Sequence, residues 1–129
     1  MSTILLVDDS REIRELLSAT LKFDCHTILQ AESGDDAVRM AREHRPDLVI
    51  MDIEMPGGID GAEATRIIKS DDSTRSTTVI VVSGTPRKEK YRECLNAGAS
   101  RCLVKPFSPL ELIQTVEAAL SGSADGSGT

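Results

Sequence analysis

Leu48-Val49-Ile50-Met51-Asp52 is a run of four apolar residues that stops at an acid. A short apolar run carrying Val and Ile, with Pro46 just ahead of it, reads as a strand buried on both faces, as in a parallel sheet. The same construction recurs three times. Ile4-Leu5-Leu6-Val7 runs into Asp8-Asp9, Val79-Ile80-Val81-Val82 into Ser83, and Cys102-Leu103-Val104 into Lys105-Pro106. In an open α/β sheet, ligands bind outside the carboxyl ends of the strands. Three acids, a hydroxyl and a lysine are therefore expected to converge on one crevice. Carboxylates that close repel by about 1 kcal/mol per pair at ~4 Å in water, and by about 4 kcal/mol at an effective dielectric of ~20. A divalent cation relieves that repulsion.

Between the apolar runs lie segments of helical period, the pattern of repeated βα units around a parallel sheet. Asp9 or Ser10 can cap a first helix whose Ile13, Leu16, Leu17, Thr20 and Leu21 fall on one face, predicted to be core. Cys25 to Leu29 reads as a weaker strand that feeds Ser33-Gly34-Asp35-Asp36 into a helix carrying Ala37, Val38, Met40 and Ala41. The turn-rich stretch Met55-Pro56-Gly57-Gly58-Ile59-Asp60-Gly61 leads to a helix through Ala62, Ala64, Ile67 and Ile68. Pro86 is predicted to open the next helix and Gly98 to close it in a left-handed conformation. Ser108-Pro109 opens a last helix, with Leu110, Leu112, Ile113, Val116 and Leu120 predicted to face inward.

At 129 residues and 40% hydrophobic content the chain suits one domain with a core of its own. Its 21 acidic and 15 basic side chains give a net charge of −6, and the basic residues are scattered, so no nucleic-acid footprint is present. A protein partner or a small cationic ligand fits better. One Tyr, two Phe and no Trp make the core aliphatic and exclude base stacking as a main activity. Three cysteines without a Cys-x-x-Cys pair argue against a disulfide framework and for the reducing cytoplasm. No basic stretch followed by a long apolar one opens the chain, and no apolar run approaches the ~18 residues of a membrane span. The expectation is an unexported, cytoplasmic domain over 1–120. Residues 121–129 hold only Gly, Ser, Ala, Asp and Thr, and read as a flexible tail or linker. A natural C-terminus, a truncated linker to an output domain and appended sequence all fit that tail.

Four motifs, each leaving a predicted strand in this order, carry a family resemblance: Leu-Val-Asp-Asp at 6–9, Met-Asp-Ile-Glu-Met-Pro-Gly at 51–57, Val-Val-Ser-Gly at 81–84 and Lys-Pro-Phe at 105–107. From about Ser2 to Leu120 the chain resembles a response-regulator receiver domain. The resemblance implies an α/β fold of the flavodoxin-like, doubly wound kind: a five-stranded parallel sheet of order 2-1-3-4-5 flanked by five helices. It also implies a role in two-component signalling, with Mg²⁺ as cofactor. Asp52 would take a phosphoryl group from a histidine kinase or histidine phosphotransfer protein and so change affinity for a downstream target or output domain. Asp52 alone follows the central strand, and a carboxylate attacking an anionic donor needs cation help and in-line positioning more than a strong base.

By resemblance, Asp9 ligates Mg²⁺ directly, Asp8 helps, Asp52 shares the ion, and the main-chain carbonyl of Glu54 is the third protein ligand. Mg²⁺ favours such sets of a few carboxylates, carbonyls and waters. Lys105 would reach across to Asp52 and later to a phosphoryl oxygen, and Ser83 would donate its hydroxyl there. A cis bond before Pro106 would aim Lys105 inward. The chain is then a stoichiometric switch that assists only its own phosphorylation and dephosphorylation, with neither nucleic acid nor membrane among its partners and room for a phosphorylation-dependent dimer. His26 and His44 read as surface residues, Cys25 and Cys94 as small buried hydrophobes, and Asp71-Asp72 as solvated loop.

Two departures from the family stand out. The loop after Asp52 carries one residue more than usual, in Gly57-Gly58, which puts the geometry at Asp60-Gly61 in question. Cys102, three residues before Lys105, stands where the family usually carries Tyr or Phe. Three other readings compete. A phosphatase of the haloacid dehalogenase type calls for Asp-x-Asp after the first strand, whereas Asp8 and Asp9 are adjacent. A pseudo-receiver that binds partners without phosphorylation sits poorly with the complete acid, hydroxyl and lysine set. A flavodoxin-type flavin binder lacks a hydroxyl-rich loop after the first strand and stacking aromatics.

Overall fold

The computed structural model describes residues 2–22, 26–55, 57–84 and 88–121. Strands β1 (Thr3–Val7), β2 (Thr27–Ala31), β3 (Leu48–Asp52), β4 (Thr78–Ser83) and β5 (Arg101–Val104) alternate with helices α1 (Arg11–Lys22), α2 (Gly34–His44), α3 (Gly61–Ser70), α4 (Lys88–Ala97) and α5 (Pro109–Leu120). The strands are all parallel, in the order β2-β1-β3-β4-β5. This is the doubly wound architecture that the motifs imply. The second strand lies two residues later than the Cys25 to Leu29 reading. Cys25, Pro56, Pro86 and all but the first residue of the predicted tail lie outside the described residues.

Alternation along the strands divides the core in two. Leu5, Val7, Val49, Met51, Val79 and Val81 pack toward α2 and α3, with Cys94 of α4 among them. Ile4, Leu6, Leu48, Ile50, Ile80 and Val82 pack toward α1 and α5. Every residue of β3 is buried. Full burial of each such Leu, Ile or Val contributes on the order of 1.5–3 kcal/mol, so the sheet centre is a rigid base for whatever stands at its carboxyl end.

Three helix starts are built as their sequences suggest. Ser33 caps α2 by accepting the Asp36 N–H, Ser10 accepts the Ile13 N–H at 3.3 Å, and Ser108 and Glu111 form a capping box ahead of α5. The lengthened loop is absorbed by its glycines: Gly57 and Gly58 take φ of 76° and 80°, a region that side chains disfavour. Asp60-Gly61 keeps a regular helix entry, with Asp60 Oδ1 accepting the Glu63 N–H at 2.9 Å. Gly98 follows α4 at φ 114°, and the Lys105–Pro106 bond is cis, both as predicted.

Two inward-facing assignments are overturned. Leu16 and Leu110 are each 62% exposed, and the buried face of α1 is Arg14, Leu17, Ser18 and Leu21. Arg14 takes the inner position because its guanidinium finds acceptors there, donating to the Asp8 carbonyl at 2.6 Å and to Gln30 Oε1 at 3.0 Å. Leu110 lies in the first turn of α5, whose inner face is Leu112 and Val116. Cys94 is buried and His44 exposed, as expected. His26 is half-buried instead, with Nδ1 enclosed and without a hydrogen-bond partner among the described residues. Asp71-Asp72 lie in the turn after α3, with Asp72 in solvent as expected, and Asp71 also accepts from Ser73 and from Arg42, whose Nε lies 2.9 Å away.

Candidate functional site

Register sets the height of each site residue. Val7 pairs with Met51, so Asp8 emerges level with Asp52, while Asp52 pairs with Val82 and Ser83 with Val104. Ser83 therefore stands one residue beyond Asp52 and Lys105 one further, a staircase rising about 3.3 Å per step. Asp8, Asp9 and Asp52 each present a carboxylate oxygen within 4.8 Å of the others. Asp8, Asp52 and Ser83 are each 4% exposed, whereas Asp9 faces solvent.

The two buried acids are firmly held. Asp8 accepts the Ser10 N–H through Oδ1 at 2.9 Å and Lys105 Nζ through Oδ2 at 3.3 Å, and its main chain is fixed by Arg14 and by its own N–H to the Ala31 carbonyl. Asp52 accepts the Glu54 N–H at 3.2 Å, and Lys105 Nζ stands 3.7 Å from its Oδ2. Burial above all, and then the Asp8 carboxylate, push the Asp52 pKa up to about 6, against the pull of Lys105 and the Glu54 N–H. One lysine does not balance three clustered carboxylates. The donor set, all hard oxygens around a surplus of negative charge, fits a divalent cation of the magnesium type.

The strand ends carrying the hydroxyl and the lysine are tied together, since the Lys105 N–H donates to the Ser83 carbonyl at 2.8 Å. Four contacts were not read from sequence: the Arg14 bond to the Asp8 carbonyl, the Glu54 side chain accepting the Gly84 N–H at 3.3 Å, Lys90 Nζ at 3.1 Å from Asp60 Oδ2, and the Tyr91 hydroxyl at 3.5 Å from the Cys102 carbonyl. Only the first had a signal in sequence, an arginine one turn from Ser18 on the helix that follows Asp8-Asp9.

The family model for the response regulator receiver domain matches residues 4–117. The chain belongs to that family. The protein PilH of Pseudomonas aeruginosa is 38% identical over 122 residues, covering 95% of this chain and 100% of PilH. Some curated relatives that are transcriptional regulators are longer, and this receiver spans about half of their length (54% and 47%). Among solved structures, the Vibrio cholerae chemotaxis protein CheY4 superposes with a TM-score of 0.87 at 32% identity, over 93% of this chain and 99% of that one. The receiver domain of the sensor histidine kinase PA1611 from Pseudomonas aeruginosa, solved with a magnesium ion coordinated in its active site cleft, gives 0.85 at 29% identity, over 93% and 98%. This receiver is thus a module of two-component signalling. No helix among its described residues is long and apolar enough to cross a membrane.

Proposed function

We propose that this receiver accepts a phosphoryl group on Asp52 from a phosphohistidine of a histidine kinase or phosphotransfer protein, and that the aspartyl phosphate changes its affinity for a protein target. The observation that carries this reading is the position of Asp52: buried at the end of the central strand, level with Asp8 and within reach of Lys105. A carboxylate oxygen of Asp52 attacks phosphorus, the bond from phosphorus to the imidazole nitrogen breaks, and the imidazole leaves with the electron pair. Lys105 turns from Asp8 to the transferred group, and the Ser83 hydroxyl donates to one of its oxygens. Asp8, Asp9 and Asp52, with the Glu54 main-chain carbonyl, would hold Mg²⁺, which supplies positive charge where negative charge gathers on the phosphoryl oxygens. The magnesium ion in the cleft of the similar PA1611 receiver supports that assignment.

The chain acts once per phosphoryl group rather than turning over a substrate, and its own residues set how fast the group is gained and lost. A phosphohistidine donor made from ATP puts this work in the cytoplasm. Intact-mass measurement after incubation with acetyl phosphate and Mg²⁺ tests the reading. The expected result is a single phosphoryl adduct that is absent from Asp52→Asn. An Asn variant labelled as fully as the parent would sink it.

A further inference from the structure

Helix α4 has fewer buried side chains among the described residues than any other helix of the fold. Among its described side chains only Cys94 is buried, whereas α1, α2 and α3 each bury four or five residues. Leu95 is 46% exposed. This helix is also the one that follows the strand ending in Ser83, separated from it by residues 84–87. It packs mainly on α3, and two polar ties to other elements come from adjacent residues on it.

Lys90 reaches back to Asp60, the cap of α3, through a charged contact of 3.1 Å and also pairs with Glu93 on its own helix. Tyr91 reaches to β5, where its hydroxyl donates to the Cys102 carbonyl at 3.5 Å. The Cys102 side chain, whose thiol donates to the Leu103 carbonyl at 3.8 Å, raises the Tyr91 pKa together with burial. β5 is an edge strand, paired through Val81↔Cys102 on one side and, among the described residues, lacking a strand partner on the other. Tyr91 satisfies a main-chain acceptor there.

The two ties differ in strength. A charged contact on a long flexible lysine survives small helix movements, whereas a hydroxyl bond already at 3.5 Å is at the outer limit and is lost when the helix shifts slightly. Cys102 stays fixed by its strand pairing. A phosphoryl group on Asp52 draws the Ser83 hydroxyl and Lys105 toward itself, so the end of β4, the strand that α4 follows, shifts relative to Cys102.

Resting on the reading of Asp52 as phosphoacceptor, we propose that the Tyr91–Cys102 contact is a latch between α4 and β5, closed in the unphosphorylated chain and opened by phosphorylation. The switch aromatic of this receiver is then carried on the helix rather than on the strand. A cysteine at 102 fits that arrangement, because its short side chain leaves the edge of β5 accessible to the ring of Tyr91.

Tyr91 is the chain's only tyrosine and tryptophan is absent, so intrinsic tyrosine emission reads this one ring. Opening separates the phenol from a carbonyl and a thiol, both of which quench it. Emission is expected to rise in proportion to the phosphorylated fraction measured by intact mass, and to stay constant with Mg²⁺ alone and in Asp52→Asn. A phosphorylated sample whose emission fails to rise overturns the latch alone; a missing adduct overturns the phosphoacceptor reading and the latch with it. A rise that Mg²⁺ alone produces, or that persists in Asp52→Asn, also overturns the latch. Tyr91→Phe and Cys102→Phe give a second readout, by hydrogen exchange of the α4 amides. Both variants are expected to exchange, before phosphorylation, at the faster rate of the phosphorylated parent, while still forming the adduct. Parental protection of α4 in both variants overturns the proposal.

Discussion

Lys105 is bonded to Asp8, with Nζ 3.3 Å from Oδ2, and stands 3.7 Å from the nearest oxygen of Asp52. The lysine thus shares its charge between two buried carboxylates, bonded to one and only near the other. A cation so placed stabilises both acids at rest, and it is free to move toward a group added to one of them.

Lys105→Met removes the charge that draws Asp52 down. The Asp52 pKa is expected to climb above its value of about 6, as read by carbon NMR of the carboxyl group against pH. The variant is also expected to lose about 1–3 kcal/mol of stability in metal-free neutral buffer, because Asp8 and Asp52 are left desolvated without their cation. An unchanged Asp52 titration would refute the pairing.

Asp52→Asn is expected to stabilise the fold, and pH reveals why. The folded pKa of about 6 lies above the ordinary carboxylate value of 3.8, so between the two the folded chain binds more protons at this group than the unfolded chain does. Stability from Asp52 is therefore intact below about pH 4, falls as pH rises through about 6, and stays low above it. The gap of roughly two units corresponds to at most about 3 kcal/mol. Denaturant melts without metal should show the Asn variant ahead at neutral pH and level with the parent at acid pH.

Magnesium is expected to raise the melting temperature in a concentration-dependent way, since binding to the folded state alone stabilises it by mass action. Protons compete for Asp52, so the gain should shrink as pH falls through about 6. Asp9→Ala should abolish most of it. A thermal-shift titration that is the same in that variant would place the ion elsewhere.

Gly61→Ala probes how closely α3 approaches the site. A Cβ at this position would collide with the Asp52 carbonyl oxygen and stand 2.8 Å from the Ile53 Cα, both backbone atoms that cannot step aside. The expected cost is about 1–3 kcal/mol in denaturant unfolding, together with slower phosphorylation of Asp52. By contrast, Gly57→Ala meets no neighbour and should act only through its positive φ.

Much of this molecule is written locally. Four apolar runs ending in Asp8, Asp52, Ser83 and Lys105 announce both the parallel sheet and the edge where chemistry gathers, because strand burial and strand ends are properties of neighbours in the chain. Caps at Ser33 and Ser108 are equally local, each joining residues three apart. Leu16 shows where such reading stops. Spacing alone puts it in line with Ile13 and Leu17, yet Arg14 holds the inner position because acceptors on Asp8 and Gln30 await it, and those belong to other elements.

The sequence by itself determined the fold class, the strand order through its family motifs, and the set of polar residues at the sheet's edge. Only the tertiary structure decided that Lys105 bonds Asp8 more closely than Asp52, that Glu54 takes the Gly84 N–H, and that Tyr91 crosses from α4 to Cys102. The physical reason is that side-chain partners across strands depend on register and helix placement to within an ångström, whereas apolar periodicity fixes only which face of an element is buried.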